Sequence, residues 1–277
     1  MRCRTSGQEI AMIFYLGTHH PNWLSKVDFP LFVSRRRLQD RKKLPRALGP
    51  WAHDSGGFTE LAMNGEWKVS FRSYVALVRR FHSEIGNMAW SAPMDWMCEP
   101  FMLAKTRGTI ESHQRRTVIN YVALMECAPD MPWIPVLQGW THADYLRCID
   151  LYHRYRVPLE SLALVGIGSV CRRQGETRIA LLIEDIARQG IKLHAFGMKT
   201  KGIELCGHAL ESSDSMSWSF AARRQGNFCG SLTHKNCANC LVYATEWRDR
   251  VVRLARSSMR PLSQTLFPSP PEGGVLP

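Results

Sequence analysis

No apolar run in these 277 residues reaches membrane-spanning length, and the opening Met1-Arg2-Cys3-Arg4-Thr5 has no signal-peptide core. Membrane-spanning and secreted classes are therefore set aside, and a cytoplasmic protein is expected. Nine cysteines are an odd number without disulfide-scaffold spacing, which fits reduced thiols. No internal repeat is visible, which argues against repeat architectures. Acid is the scarcer charge: 24 acidic residues stand against 36 basic ones, a net charge of +12. That balance points to a polyanionic partner, nucleic acid first. The basic residues cluster, with Arg35-Arg36-Arg37 and Arg41-Lys42-Lys43 inside one connection and pairs at Arg115-Arg116, Arg172-Arg173 and Arg223-Arg224. Such groups neutralise phosphates without reading sequence.

What is present is an ordinary globular composition, 45% hydrophobic and 22% charged, long enough for one sizeable core. Strands are expected at Ile10–Leu16, at Phe29–Ser34, in a third segment running into Asp54, and at Met88–Pro93, Trp133–Leu137, Leu162–Val165 and Lys192–Phe196. An eighth ends at Asp214-Ser215. Between the later ones the period changes to that of an amphipathic helix, as in Phe71, Tyr74, Val78, Phe81 and Ile85, closed by Gly86. Thr141 with Asp144 has capping-box spacing. The first two connections are too short for full helices.

Eight strands alternating with helices imply a parallel sheet, and eight units suggest closure into a (β/α)₈ TIM-type barrel of α/β class; an open doubly wound sheet is the alternative. One domain is expected over residues 1–260, with loose residues 1–9 and a disordered proline-rich tail at 261–277.

In such barrels chemistry sits where strands end. Asp54, Asp95, Gln138, Gly168, Gly197 and Asp214 all fall at expected strand tips. Glycosyl chemistry needs a carboxylate nucleophile beside a carboxylic acid, and burial with mutual repulsion separates their pKa values. Metal-binding acids are the competing reading, although no His-x-His or paired His/Asp spacing occurs at these tips.

The motifs Asp54-Ser55-Gly56-Gly57-Phe58, Met94-Asp95-Trp96-Met97-Cys98-Glu99-Pro100, Gln138-Gly139, Gly166-Ile167-Gly168-Ser169 and His194-Ala195-Phe196-Gly197 stand in a telling order. So does Asp214 followed by Ala222-Arg223-Arg224-Gln225-Gly226. The set resembles the queuine/archaeosine tRNA-guanine transglycosylases, and most of all the DpdA-type 7-deazaguanine DNA transglycosylases, over about Gly17 to Arg250. The resemblance implies that Asp214 attacks the anomeric carbon of a guanosine nucleotide. Asp54 then gives the leaving base a proton and takes one from the incoming free 7-deazaguanine base. Asp95 would bind the base's ring imine and exocyclic amine, and Gln138 and the Gly168 backbone amide its carbonyl edge. Ser55, Gly139 and Gly197 are further candidates for substrate contact. Arg35, Arg36, Arg37, Arg223 and Arg224 are candidates for the nucleic-acid surface, the last two on a basic loop after the nucleophile. Trp96 and Phe58 are candidates to stack on a base; Cys98 and Glu99 lie near the pocket. The same exchange on tRNA, and an inactive zinc-stabilised barrel that only binds nucleic acid, are the alternatives.

Cys229-x₄-His234-x₂-Cys237-x₂-Cys240 offers four soft or borderline ligands, suited to a closed tetrahedral structural Zn²⁺ site within about residues 227–242. Reduced buried cysteines are the alternative; a redox pair fits poorly, since the preceding strand of a thioredoxin-like unit is missing. The resembling family places its zinc histidine downstream of the cysteines, whereas no histidine follows His234 here. Either His234 serves from upstream or another group completes the shell.

Overall fold

A computed structural model describes residues 12–171, 173 and 177–257. The expected loose start, the tail at 261–277, Ile10 and Arg172 lie outside the described residues. Eight parallel strands form one curled sheet: β1 (Ile13–Thr18), β2 (Leu31–Ser34), β3 (Trp51–Asp54), β4 (Met88–Ser91), β5 (Val136–Leu137), β6 (Val165–Ile167), β7 (Leu193–Ala195) and β8 (Ser212–Ser215). Their order is β4-β3-β2-β1-β8-β7-β6-β5. The outer strands approach through a single parallel bridge, Ser91 to Trp133. The Ser91 N–H donates to Pro132 O at 2.8 Å, and the Ile134 N–H donates to Ser91 O at 3.2 Å. No continuous ladder joins β4 to β5 among the described residues. Pro132 and Pro135 flank the bridge and bring no N–H to it, which also explains why β5 is shorter than the expected Trp133–Leu137.

The early connections are short, as expected: a 3₁₀ turn at Pro21–Ser25 and the one-turn α1 (Arg35–Leu38). Next come α2 (Gly57–Asn64), α3 (Phe71–Ile85), α4 (Pro100–Thr106), α5 (Ile110–Cys127), α6 (His142–Arg154), α7 (Thr177–Arg188), α8 (Thr200–Cys206), α9 (Ser217–Gln225) and α10 (Leu241–Ser257). On α3 the expected stripe buries Tyr74, Val78, Phe81 and Ile85, and Gly86 ends the helix at φ 72°. Thr141 and Asp144 form a capping box on α6.

Three helices escape the periodic pattern because they are short or polar. Helix α2 has eight residues, too few for a stripe to repeat. Helix α4 is announced only by Pro100 in its first turn. Helix α9 buries Trp218 and Ala222 on an otherwise polar segment. The basic loop expected after Asp214 is thus the end of a helix, where Arg223 and Arg224 face the negative pole of the dipole. Strand β6 starts at Val165 rather than Leu162, since Leu159–Ser161 is spent on a 3₁₀ turn.

Strand alternation builds the site. Phe14, Leu16, Leu31, Val33 and Trp51 join the large core. Their neighbours Tyr15, Phe32, Ala52 and Trp90 form a separate cluster with Ile134. Because side chains alternate across a strand, Asp54 shares the face of Ala52. Tyr15 is the register partner of Asp214. The inner face is therefore aromatic below and acidic at the strands' carboxyl ends. No helix among the described residues is long and apolar enough to cross a membrane.

Candidate active site

A cavity of about 210 Å³ opens at those ends and is lined by Asp54, Asp95, Gln138, Gly168, Gly197 and Asp214, each from the tip of a different strand. Ser55, Phe58, Glu99 and Ser169 complete its polar and aromatic wall. Asp54 closes β3, and its Oδ1 accepts from the Gly56 N–H at 3.2 Å. Gly56 takes φ 73°, a left-handed conformation glycine adopts freely, and this turn folds the backbone back onto the carboxylate. Burial raises the Asp54 pKa; Ser34 and Gly56 oppose the rise by hydrogen bonding, and the charge of Asp214 adds to it.

Asp95 sits in the loop after β4. Its Oδ1 accepts from Ser55 Oγ–H at 2.9 Å and its Oδ2 from Gln138 Nε2–H at 2.9 Å. Burial outweighs these bonds, and the Asp54 charge assists it, so the pKa rises to about 7. The Gln138 amide is oriented from both ends, because Ser169 Oγ–H lies 2.7 Å from its Oε1. Ser169 in turn accepts from the Cys98 N–H at 2.8 Å and lies 3.0 Å from Glu99 Oε2. A pocket so wired presents fixed acceptors beside Asp95 and a fixed donor on Gln138. Ligands lacking matching groups would leave buried polar atoms unpaired.

Asp214 is held by the two ends of the His194-Ala195-Phe196-Gly197 motif. Its Oδ1 accepts from the Gly197 N–H at 2.9 Å and faces His194 Nε2 at 3.3 Å. His194 is fully buried, with Nδ1 2.9 Å from Ser212 Oγ and its ring edge-on to Trp90. Burial lowers its pKa and favours the neutral ring. A proton on Nε2 then serves Asp214, while Ser212 donates to Nδ1. His194 stands one residue from Leu193 on a buried strand, so its inward face was readable from parity. Gly197, expected to touch substrate, lines the cavity, and its N–H fixes the carboxylate.

Three expectations need correction. The Gly168 N–H donates to Leu137 O at 2.9 Å, within the ladder, and cannot bind a base carbonyl. What Gly168 supplies is space, because a Cβ there would sit 2.4 Å from Gln138 Nε2. Gly139 does not line the cavity; its missing side chain lets β5 turn against Asp144 and Tyr145 of α6. Arg35 is 1% exposed, with Nη2 2.6 Å from Glu60 Oε2 and Nε 2.9 Å from Ser55 O, so it is not available to a phosphate. It buttresses the Asp54-Ser55 turn from behind. Arg35→Ala should cost about 3 kcal/mol in denaturant unfolding, because it removes the close partner of buried Glu60 and leaves the longer 3.6 Å contact to Arg36.

Arg37, Arg223 and Arg224 remain exposed at the rim, and Arg36 is half-buried. His19, beside Asn239 and stacked on Trp218, feels the charges of Arg37 and Arg223. This joins the β1, β2 and β8 tips into one positive edge. Phe58 lines the cavity, whereas Trp96 is buried under Arg116. His53, next to Asp54, is buried with Nδ1 on Ser91 Oγ, and burial lowers its pKa to about 3.

At the far end of α9, the ligand atoms of Cys229, His234, Cys237 and Cys240 lie within 4.8 Å of one another. His234 Nε2 is 3.1 Å from Cys229 Sγ and 3.5 Å from Cys237 Sγ; Cys240 Sγ is 3.6 Å from Cys229 Sγ. These are spacings at which four donors surround a metal ion such as zinc, each bond about 2.0–2.3 Å. His234 thus joins the cluster from upstream. Asn239, inside it, reaches His19 and His20 at the β1 tip.

No curated protein matches the chain. A family model does, that of DpdA, "DeoxyPurine in DNA protein A", over residues 10–266. With acids from three strand tips around one cavity, a basic rim beside it and a match over nearly the whole sequence, the chain belongs to the DpdA family.

Proposed function

We propose that this protein replaces guanine in DNA by a 7-deazaguanine base, through a covalent glycosyl–Asp214 intermediate. Membership of the DpdA family implies a DNA-guanine transglycosylase role in DNA modification. The observation that carries the residue-level reading is the shared cavity of Asp54, Asp95 and Asp214. The sheet acts as a (β/α)₈ barrel in a single domain, a closure supported by the Ser91–Trp133 bridge.

The steps balance without an outside reagent. A carboxylate oxygen of Asp214 bonds to C1′ while the C1′–N9 bond to guanine breaks. Asp54, whose hold on a proton is strengthened by burial, gives that proton to the departing base. The incoming base loses its N9 proton to Asp54, and N9 attacks C1′. The C1′–O bond to Asp214 then breaks, so configuration is retained through two displacements. His194 and Gly197 hold Asp214 Oδ1 and leave the other oxygen for the sugar. Asp95 accepts from the ring N–H and exocyclic amine of the base, and Gln138 Nε2 donates to its carbonyl. A stacked guanine cannot reach this cavity, so the base must leave the duplex or come from a single strand. Cys229, His234, Cys237 and Cys240 would hold a structural zinc, which supplies fold stability and no chemistry of the exchange.

Incubation with labelled guanine and either DNA or tRNA tests the assignment: label should enter DNA. Entry into tRNA alone would overturn the choice of nucleic acid, and entry into neither would favour a binding-only barrel. A pH dependence follows from Asp95. It must be ionised to accept from the base, so affinity for the free base should fall as the pH drops through about 7. The fall should approach about tenfold per pH unit below that point. Burial raises the Asp54 pKa, so this carboxyl keeps the proton it must donate to higher pH than an exposed aspartate would, and the rate should fall once that proton is lost. A KM for base that stays level across roughly one pH unit either side of the Asp95 value would remove Asp95 from base binding.

A further inference from the structure

We propose that the groove between the start of α6 and α7 is a second nucleic-acid subsite, which takes a nucleotide flanking the exchanged guanine. It encloses about 660 Å³, against about 210 Å³ for the catalytic cavity. Its wall includes Trp140, Arg173, Arg178, Leu181, Asp185 and Arg188. The Arg173 guanidinium lies 4.2 Å from the centre of the Trp140 ring, and its Nη1 donates to Trp140 O. The guanidinium thus stacks over the indole, a cationic and aromatic pair of the composition on which bases stack. Among the described residues that line it, three arginines face one acid, and Asp185 is engaged by His142 at 2.9 Å and Arg188 at 3.4 Å. The excess positive charge complements a phosphate backbone and disfavours a cationic occupant.

The position fits a strand passing through the active site. Trp140 follows Gln138 by two residues and Arg173 follows Ser169 by four, so the groove continues from the cavity wall on the β5 and β6 side. Two to four extended residues reach roughly 7–14 Å, about two to four nucleotides at 3.4 Å each. The edge formed by Arg37 and Arg223 belongs to β2 and β8, separated from the β5 and β6 side of this groove by β7 in the strand order. A single strand crossing the mouth from that edge leaves over Trp140.

This inference rests on the DNA-exchange reading, and the test separates the two. A fluorescein-labelled single strand of about 15 nucleotides with one guanine is titrated by anisotropy against the full chain. Trp140→Ala should weaken binding about tenfold, whereas Trp140→Phe, which keeps a stacking face, should retain most of the affinity. Arg178→Ala combined with Arg188→Ala should flatten the salt dependence by about 0.7 for each phosphate the pair neutralises. Wild-type affinity in Trp140→Ala, equal losses in both Trp140 variants, or an unchanged salt slope would overturn the subsite. A wild-type chain that binds the strand in this way yet never exchanges guanine would instead overturn the catalytic reading.

Discussion

Replacing Asp214 by Asn should abolish guanine exchange, with turnover down by at least about 10⁴-fold, the scale on which a missing covalent nucleophile is felt. An amide nitrogen or oxygen in that place is too weak a nucleophile to take C1′ from guanine. The substitution is nearly isosteric, and the amide oxygen still accepts from the Gly197 N–H that now holds Oδ1. Affinity for a guanine-containing strand should therefore stay within a few fold of wild type, which separates loss of chemistry from loss of fold. Asp54→Asn should be nearly as damaging, because it removes the carboxyl whose hold on a proton burial strengthens and which must give that proton to the leaving base. Turnover reduced only a few fold in Asp214→Asn would move the nucleophile elsewhere.

The second large effect concerns the four-ligand cluster. Purified chain should carry one zinc, and removing it, or replacing Cys237 by Ser, should lower the melting temperature by on the order of 10 °C. Cys237 is fully buried, and its Sγ also accepts from the Cys229 N–H at 3.4 Å, so its loss unseats the loop from two directions. Asn239 in the same loop holds His19 and His20 at the β1 tip, so binding of a DNA strand should weaken together with stability. Metal analysis that finds no ion, or a melt unmoved by chelation, would leave these residues as reduced cysteines packed beside a histidine.

The acids that line the cavity were legible because strand tips are marked by chemistry as well as position. Asp54 before two glycines, Gln138-Gly139 and Asp214 each close a buried apolar or small-residue segment with a polar group. The cysteine and histidine spacing was legible for the same reason, since ligands must lie close along the chain to close a small loop. Burial within a charged run was not legible. Arg35, Arg36 and Arg37 read alike, yet Glu60, 25 residues on, draws only the first fully inward. Backbone amides were equally opaque, for the Gly168 N–H is spent on Leu137, a pairing set by register that no residue type announces. Helix α9 was missed because Trp218 and Ala222, its buried apolar residues, are too sparse to show a period. His194 lay in plain view: its parity with Phe196 and its place beside β8 put it on the inner face with Asp214.

The central claim is a bond between Asp214 and the sugar. A guanine-containing oligonucleotide mixed with the enzyme without incoming base, quenched with acid and digested, should yield one peptide containing Asp214 with the strand's sugar attached. That adduct should vanish when a 7-deazaguanine base is added before the quench. An adduct mapped to any other side chain, or exchange that proceeds at full rate with none detectable at any quench time, would contradict it.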